Sequence, residues 1–547
     1  MVNWEKRKHE DSPMKKRLLC LLLILALLLT GCANVNFGGY FSALGQMMGL
    51  NTNAVTKFSD MTYTHPDMDA LQETLDAACD TAANGKDLQA VLRGILDYYD
   101  AYDRFYTNYY LADIYYCADL RDSYWANEYA YCGSNVSTAD AGLETLYRAL
   151  AQSPYRSELE GDDYFGADYF TAYDGEAFYD ETLLDLFQQE SDLISDYYVQ
   201  NDEAAQADTE EAYYTTYVPA MEETLLSLIA LRQKIAAYCG YDSYAQFAYD
   251  QSYYRDFTPE EAQNYLAAIQ SQLGPIYAQV RDLDTGLDAP GKEADTVAYV
   301  ASAAKAMGGT IQDAYTLLDK GHLYDLTPSA YKYNSSFEIY LDSYAEPFIF
   351  VCPTETVYDK LTFIHEFGHF ANDYASGGAS NSVDVSEIFS QAMTYLSLCY
   401  ADGGEALSQG AMVDSLSVYV EQAAYASFEQ AAYGLTGSDL SVENLRKLFA
   451  DTCEAFHMED MNEQYYALIT HFYTNPMYIL SYVLSNDAAM QIYQLELENS
   501  GDGLKIYEEN LTNSEPSFLA FLDSAGLEAP FGRIASVAQT FRSLLGA

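Results

Sequence analysis

Two histidines four residues apart, His365 and His369, stand in the stretch Phe-Ile-His-Glu-Phe-Gly-His-Phe-Ala-Asn at residues 363–372. On an α-helix, residues i and i+4 lie on one face, so these two imidazoles can bind a single cation. Glu366 follows the first histidine, where its carboxylate can reach a water on that cation instead of the cation itself. The pattern predicts a zinc site with an adjacent general base. The alternative is a pair of capped or core histidines on an ordinary helix.

A catalytic zinc usually takes three protein ligands and leaves its fourth position to water. The stretch Asp-Val-Ser-Glu-Ile-Phe-Ser-Gln at residues 384–391 offers two carboxylates for the third position. Glu387 follows a loop that contains Gly377 and Gly378, and we expect it to begin an apolar helix that turns back toward the histidines. Asp384 is the competing ligand. Taken alone, a glutamate in a first helical turn is also explained by its favourable interaction with the helix dipole.

The elements that must position these residues can be read from hydrophobic periodicity. The histidine pair falls within a predicted helix at 357–374, which has apolar residues at helical spacing. Strand-forming stretches at 336–341 and 347–351 flank a turn just before that helix and predict a small sheet. Nearly continuous helical periodicity from residue 67 to about residue 282 predicts an all-α lobe. The expected fold class is therefore mainly α.

Charge excludes one class of partner. The chain has 547 residues, with 82 acidic and 27 basic side chains, and its net charge is −55 at pH 7. A surface with this charge repels phosphate backbones, and no basic patch offsets it, so we expect no nucleic-acid partner.

The first residues have the features of an export signal. Three basic residues, at 15–17, precede an apolar run at 18–29 that is shorter than the roughly 20 residues a membrane-spanning helix needs. The run ends in Leu-Thr-Gly-Cys, which resembles the bacterial lipobox, so we expect cleavage before Cys32 and lipid attachment to its thiol and new amino group. The expected location is outside the cytoplasm, anchored by lipid to a bacterial cell membrane. A plain signal peptide with an incidental cysteine is the alternative.

Seven cysteines lie beyond Cys32, and an odd number cannot all pair. None of them forms a Cys-x-x-Cys pair. We expect buried reduced thiols with at most one disulfide, in preference to a disulfide framework.

The motif and its surroundings resemble the thimet oligopeptidase and oligoendopeptidase F family of zinc metallopeptidases. The likeness spans about residues 220 to 485 and depends on several stretches in the family's order. These are Leu231-Arg232-x-x-Ile235-Ala236, Gly240-Tyr241-x-x-Tyr244-Ala245, the predicted strand at 347–351, His365-Glu366-Phe367-Gly368-His369, Glu387-x-x-Ser390 and His471-Phe472-Tyr473.

The resemblance implies a two-lobed, mainly helical metallopeptidase of the zincin type, with a deep channel and a small sheet beside the zinc helix. It implies one Zn²⁺ per chain, bound by His365, His369 and Glu387, and Glu366 as the general base. Short peptides that can thread to the metal are the implied substrates. The strand at 347–351 is expected to pair with the substrate backbone by strand addition.

The resemblance also assigns a histidine and two tyrosines to stabilising the oxyanion, and His471, Tyr478 and Tyr482 are the residues that match. Asn475 before Pro476 is a typical cap and first-turn pair, so a helix is predicted to start there. Tyr478 and Tyr482 would then share one face. Packing of these aromatic side chains in the core is the alternative.

Other functions remain possible on the sequence alone. They are a non-enzymatic lipoprotein that binds peptides or other solutes, a zinc peptidase of another His-Glu-x-x-His family, and an adhesin. The predicted organisation is a lipoprotein signal peptide at 1–31, a tether at 32–60, a helical lobe at 61–282 and a zinc catalytic region at 283–547.

Overall fold

A computed structural model describes residues 55–161, 164–175, 181–204, 207, 209–378 and 382–546. The predicted signal peptide, Cys32 and all but the last residues of the predicted tether lie outside the described residues. No helix in the described part of the chain is both long enough and apolar enough to cross a membrane. Six of the cysteines beyond Cys32 are free thiols: Cys79, Cys117, Cys132, Cys352, Cys399 and Cys453.

The fold is mainly α, as predicted from the sequence. Its first helices form a unit with its own core, built from buried residues between Leu71 and Tyr173. Each of the three long helices begins at an aspartate, Asp67, Asp87 or Asp122, whose carboxylate accepts backbone N–H groups of the first turn. The helices of this unit span Met68–Asn84, Leu88–Ala118, Ser123–Ala151 and Arg156–Leu159, followed by a 3-10 turn at Tyr169–Tyr173.

The chain has 53 tyrosines, and this first unit explains part of that number. Its core includes the buried rings of Tyr98 and Tyr99. The hydroxyls of Tyr102 and Tyr106 both donate to one oxygen of Asp140, at 2.8 and 2.6 Å. These tyrosines therefore contribute apolar area while their hydroxyls have hydrogen-bond partners.

A second, larger core unites the rest of the described chain. It continues across residue 282, where the sequence suggested a boundary between two regions, and that boundary stays a prediction. The helices before the sheet span Glu181–Ala204, Glu210–Ala212, Val218–Tyr238, Tyr244–Gln251, Pro259–Gln272, Gly274–Val280, Glu293–Met307 and Gly309–Gly321, with a π-helical turn at Tyr213–Tyr217. Those after it span Asp359–Ser376, Val383–Tyr400, Ser408–Ala432, Val442–Ala455, His471–Thr474, Ile479–Glu498, Asp502–Asn510, Phe518–Ala525 and Ile534–Leu545.

The sheet has three strands, β1 (Tyr324–Asp325), β2 (Phe337–Leu341) and β3 (Glu346–Phe350), in the order β1-β3-β2. β3 pairs in parallel with β1 and antiparallel with β2. The longer strands lie within a residue of their predicted positions. However, β3 is the central strand: β2 pairs with all five of its residues, and β1 pairs with Ile349 and Phe350. All five residues of β3 are also buried, so the prediction that it pairs with substrate is wrong. Among the described residues, the longer free edge belongs to β2.

Three helices that follow the sheet in the sequence pack one on the next and carry the predicted site. We call Asp359–Ser376 the motif helix, Val383–Tyr400 the glutamate helix and Ile479–Glu498 the tyrosine helix. The motif helix packs on the glutamate helix, which packs on the tyrosine helix. The glutamate helix begins four residues earlier than predicted, so Glu387 lies in its second turn.

Gly368 allows the motif helix and the glutamate helix to approach closely. A Cβ atom on Gly368 would lie 2.5 Å from the Cα of Ser390 and 2.6 Å from the carbonyl oxygen of Phe389. Both of these are backbone atoms, which cannot move aside as a flexible side chain could. A glycine in a helix interior costs about 1 kcal/mol relative to alanine, and here the close packing of two helices requires it.

We predict that Gly368→Ala will destabilise the protein and weaken zinc binding, because the added methyl group pushes apart the two helices that carry the predicted ligands. Overpacking of this kind costs roughly 1–3 kcal/mol, which the better helix propensity of alanine offsets only in part. Thermal unfolding and zinc competition with a chelator measure the two effects. Gly532→Ala is the control, since no atom beyond its chain neighbours lies within 4 Å of its Cβ position. An unchanged zinc affinity in Gly368→Ala would contradict the prediction.

Candidate active site

The motif helix and the glutamate helix bring three potential metal ligands together. One ligand atom from each of His365, His369 and Glu387 lies within 4.8 Å of the others. The Nε2 atoms of the histidines are 3.5 and 3.7 Å from Oε2 of Glu387. Two imidazole nitrogens and one carboxylate oxygen form a typical donor set for a catalytic zinc, so these side chains fit that ion. His365 is the most accessible, with 31% of its side chain exposed, so solvent reaches the cluster from its side.

Burial and the charges within this cluster together set the protonation states of Glu387 and His369. Burial alone would raise the pKa of Glu387, but the hydrogen bond from His365 and the two imidazoles lower it to about 2. Burial lowers the pKa of His369 to about 4, against the opposing charge of Glu387. Glu387 is therefore a carboxylate at neutral pH and His369 is a neutral imidazole, which are the states that bind a metal ion.

Glu387 is oriented by its own helix. The Ser390 hydroxyl, one turn further along, donates to Oε2 of Glu387 at 3.0 Å. Hydrogen bonds of this kind orient a ligating carboxylate.

Asp384, the competing third ligand, points elsewhere. Its two carboxylate oxygens accept from Nε and Nη2 of Arg255 at 2.8 and 3.1 Å, and both side chains are buried. An aspartate held by both oxygens in this way is not available to the histidines. The structure thus brings Glu387, and not Asp384, to the histidine pair.

Glu366 lies on the motif helix between the histidines and is only 7% exposed. Burial raises its pKa to about 7, with His365 lowering it and Glu387 raising it. A carboxyl group with a pKa near neutrality can accept and return a proton at physiological pH. Burial also raises the pKa of Glu338 on β2 well above its usual value, and the charges of Asp373 and Glu366 add to this effect.

The three predicted oxyanion residues form one aromatic cluster. Ring centroids of His471 and Tyr478 are 5.1 Å apart, those of Tyr478 and Tyr482 5.2 Å, and those of His471 and Tyr482 5.8 Å. The hydroxyl of Tyr482 lies 3.4 Å from Nε2 of His471. Burial raises the pKa of both tyrosines and the charge of Glu387 raises it further, while burial lowers the pKa of His471. All three groups are therefore neutral hydrogen-bonding groups at pH 7.

The backbone that carries these residues differs from the prediction. The tyrosine helix begins at Ile479 with Tyr478 at its N-cap, not at Asn475 and Pro476. Met477 has a φ of 69°, which interrupts any helix between Pro476 and Ile479. His471 lies instead in a separate helical turn, His471–Thr474.

Buried side chains for which the sequence predicts no role hold this backbone. Nη1 of Arg232 donates to the carbonyl oxygen of Phe472 at 2.8 Å, and Nη2 donates to that of Tyr473. The hydroxyl of Tyr253 donates to the carbonyl oxygen of Pro476 at 2.9 Å. These contacts join residues more than 200 positions apart. Arg232 lies in one of the stretches that resemble the family, and this is the sequence feature that pointed to it.

Comparison with known proteins agrees with this architecture. Residues 58–176 match a family model described as the Peptidase M3 N-terminal domain. No curated protein sequence matches the chain.

Solved structures with the same fold cover most of the chain. A protein assigned to oligoendopeptidase F has 20% identity and a TM-score of 0.75, and PZ peptidase A, solved with an inhibitor, has 18% and 0.74. A protein of Bacillus anthracis assigned to oligoendopeptidase F has 19% and 0.73. In each case the match covers 90% of this chain and 99% of the other.

The fold is thus that of a peptidase of the M3 class. The matched N-terminal domain and the shared fold support the family that the sequence resemblance indicated, the M3 peptidases that include oligoendopeptidase F.

Proposed function

We propose that this protein is a zinc-dependent endopeptidase that hydrolyses short peptides outside the cytoplasm. The observation that carries the proposal is the convergence of His365, His369 and Glu387, with Glu366 beside them, in a chain with the M3 peptidase fold. Zn²⁺ bound there would supply Lewis acidity that activates a water and polarises the scissile carbonyl.

The protein's own side chains carry the proton transfers. Glu366 accepts a proton from the attacking water and then donates it to the leaving amine. Its position directly after His365 places it beside the metal ligands without making it one of them. The neutral groups of His471, Tyr478 and Tyr482 are available to donate hydrogen bonds to the oxyanion that develops on the former carbonyl.

The free edge of β2 is the proposed binding site for the peptide backbone. This strand contacts the motif helix, and its Glu338 is close enough to Glu366 for their charges to interact. An extended peptide that pairs with a strand edge is bound through main-chain hydrogen bonds, which favour no particular side chains. Short unstructured peptides can adopt this conformation, whereas folded proteins cannot.

A library of quenched-fluorescent peptides, assayed with and without a chelator, tests the proposed activity. We expect cleavage of short peptides that a chelator abolishes and added zinc restores. A peptide-binding lipoprotein without catalytic activity would bind members of the library and cleave none.

Two variants separate the base from the ligands. Glu366→Gln is expected to keep zinc and lose most hydrolysis, because it removes the base and leaves all three ligands. Glu387→Ala is expected to lose zinc and activity together. Metal analysis of the purified variants beside the peptide assay measures both properties. Normal turnover by Glu366→Gln would exclude it as the base, and full zinc content in Glu387→Ala would exclude it as a ligand.

Tyr482→Phe tests stabilisation of the oxyanion. Removal of one hydroxyl donor is expected to lower kcat about 100-fold, or about 2.7 kcal/mol, with zinc content unchanged. Tyr493→Phe is the matched control, because Tyr493 is a buried tyrosine three turns further along the same helix. A decrease under about threefold in both Tyr482→Phe and Tyr478→Phe would assign the role to another residue, with His471 the next to test.

We further propose that Cys32 carries a lipid that anchors the protein to the outer face of a bacterial cell membrane. The proposal is supported by the short apolar run at 18–29 and the Leu-Thr-Gly-Cys sequence that ends it. Metabolic labelling with a fatty-acid probe is expected to tag the wild-type protein and not Cys32→Ala. Equal labelling of the two would contradict lipidation at this residue.

A further inference from the structure

Arg255 contacts two of the three helices that carry the site, the glutamate helix and the tyrosine helix. Its guanidinium is fully buried, and it pairs with Asp384 on the glutamate helix through Nε and Nη2, at 2.8 and 3.1 Å. The same Nη2 atom donates to the hydroxyl of Ser481 on the tyrosine helix, at 3.1 Å. One planar group therefore connects the two helices close to Glu387 and Tyr482, where the contact from Gln391 to the carbonyl of Tyr482 is 3.5 Å long. Further along, the hydroxyls of Tyr395 and Tyr400 on the glutamate helix donate to Asn486 and Glu496 on the tyrosine helix.

Both partners of Arg255 are close in sequence to residues of the proposed mechanism. Asp384 precedes Glu387 by three residues, and Ser481 immediately precedes Tyr482. On a helix, residues i and i+3 lie on neighbouring parts of the surface, so a fixed Asp384 also fixes the rotation that presents Glu387 to the histidines. The contact with Ser481 likewise restrains the first turn of the tyrosine helix.

The guanidinium is itself held in place. It lies over the rings of Tyr249 and Tyr253, at 4.5 and 4.4 Å from their centroids. The backbone N–H of Arg255 donates to the carbonyl oxygen of Tyr249 at 2.9 Å. Tyr253 in turn donates to the carbonyl of Pro476, in the segment that leads to Tyr478. Because the guanidinium is planar, lies over two aromatic rings and has a fixed backbone, it can hold Asp384 and Ser481 in a defined position relative to each other.

A gain in stability does not by itself explain the buried ion pair between Arg255 and Asp384. Desolvation of a buried ion pair consumes much of its Coulomb energy, and well-packed apolar residues often replace such a pair without loss. In addition, Nη1 of Arg255 has no hydrogen-bond partner among the described residues, which is a further cost. A buried pair that is expensive to maintain is better explained by the geometry it imposes.

We propose that Arg255 is a positioning residue that sets the placement of Glu387 relative to Tyr482 and couples the zinc ligands to the oxyanion donors. The inference depends on the proposed zinc peptidase function. Arg255 acts through two contacts, which we call its arms. The ion pair with Asp384 orients Glu387, the predicted third ligand, and the hydrogen bond to Ser481 orients Tyr482.

The chain provides a matched ion pair for the test. Arg533 pairs with Asp487, which is buried on the same tyrosine helix, at 2.7 Å, and it also contacts Gln494. Asp487 is not a candidate ligand, and the candidate Asp384 is held by Arg255 through both of its oxygens. Of the two acidic partners, only Asp384 lies within one turn of Glu387. Arg533→Lys therefore reproduces the loss of a buried guanidinium without disturbing the connection between the ligands and Tyr482.

Arg255→Lys, Arg533→Lys and Ser481→Ala should be compared with the wild-type full-length protein. Zinc affinity is measured by chelator competition, kcat and KM with one quenched-fluorescent peptide, and fold by thermal unfolding. Arg255→Lys is expected to weaken zinc binding about 10- to 100-fold, the usual effect of losing a group that orients a ligand, and to lower kcat with little change in KM. Arg533→Lys is expected to lower the Tm while zinc affinity and kcat stay within about twofold.

Ser481→Ala keeps the ion pair and so remains informative if Arg255→Lys does not fold. It is expected to leave zinc affinity unchanged and to lower kcat about fivefold, the usual effect of losing one hydrogen bond, because it removes only the arm that leads to Tyr482. The inference is overturned if a folded Arg255→Lys matches Arg533→Lys in zinc affinity and kcat, or if Ser481→Ala has wild-type kcat. If the wild-type protein binds no zinc and cleaves no peptide, the proposed function fails and the inference fails with it.

Discussion

The contact between Gly368 and the backbone of Phe389 and Ser390 is the constraint on which the site depends. The two histidines belong to one helix and Glu387 to the next, so their ligand atoms converge only if those helices approach closely. A side chain at position 368 would prevent this approach, because it would meet main-chain atoms. Gly368 in the His-Glu-Phe-Gly-His motif therefore serves the packing of helices, whereas His365, Glu366 and His369 serve the proposed chemistry.

Basic side chains are scarce in this chain, and several of them are buried around the site. Only 27 lysines and arginines accompany 82 acidic residues. Arg232 holds the carbonyl groups of the turn that carries His471, and Arg255 connects the glutamate helix with the tyrosine helix. A guanidinium suits such positions because its planar set of donors can contact several acceptors at fixed angles. The acidic side chains thus determine the charge of the surface, whereas the buried Arg232 and Arg255 hold backbone and helices in place around the site.

Local sequence predicted most of the elements that position the site. The motif helix and the two longer strands lie within two residues of their expected bounds, since periodicity and β-propensity are local properties. The start of the tyrosine helix was missed. The Asn475-Pro476 pair has the composition of a helix start, but the chain there follows contacts from Tyr253 and a left-handed residue at Met477. Strand pairing was also misjudged for β3, because the order of strands in a sheet is not a property of any one strand.

The sequence by itself determined the chemistry available to this protein: a pair of imidazoles on one helical face, a glutamate beside them and a carboxylate further along. It left Glu387 and Asp384 as alternatives for the third ligand. Only the tertiary structure separated them, because the difference lies in Arg255, which is 129 residues away from Asp384 and binds both of its oxygens. In the same way, the approach of His471 to Tyr482 results from buried contacts between distant segments. Residue types and spacing specify which groups can react, whereas long-range packing decides which of them meet.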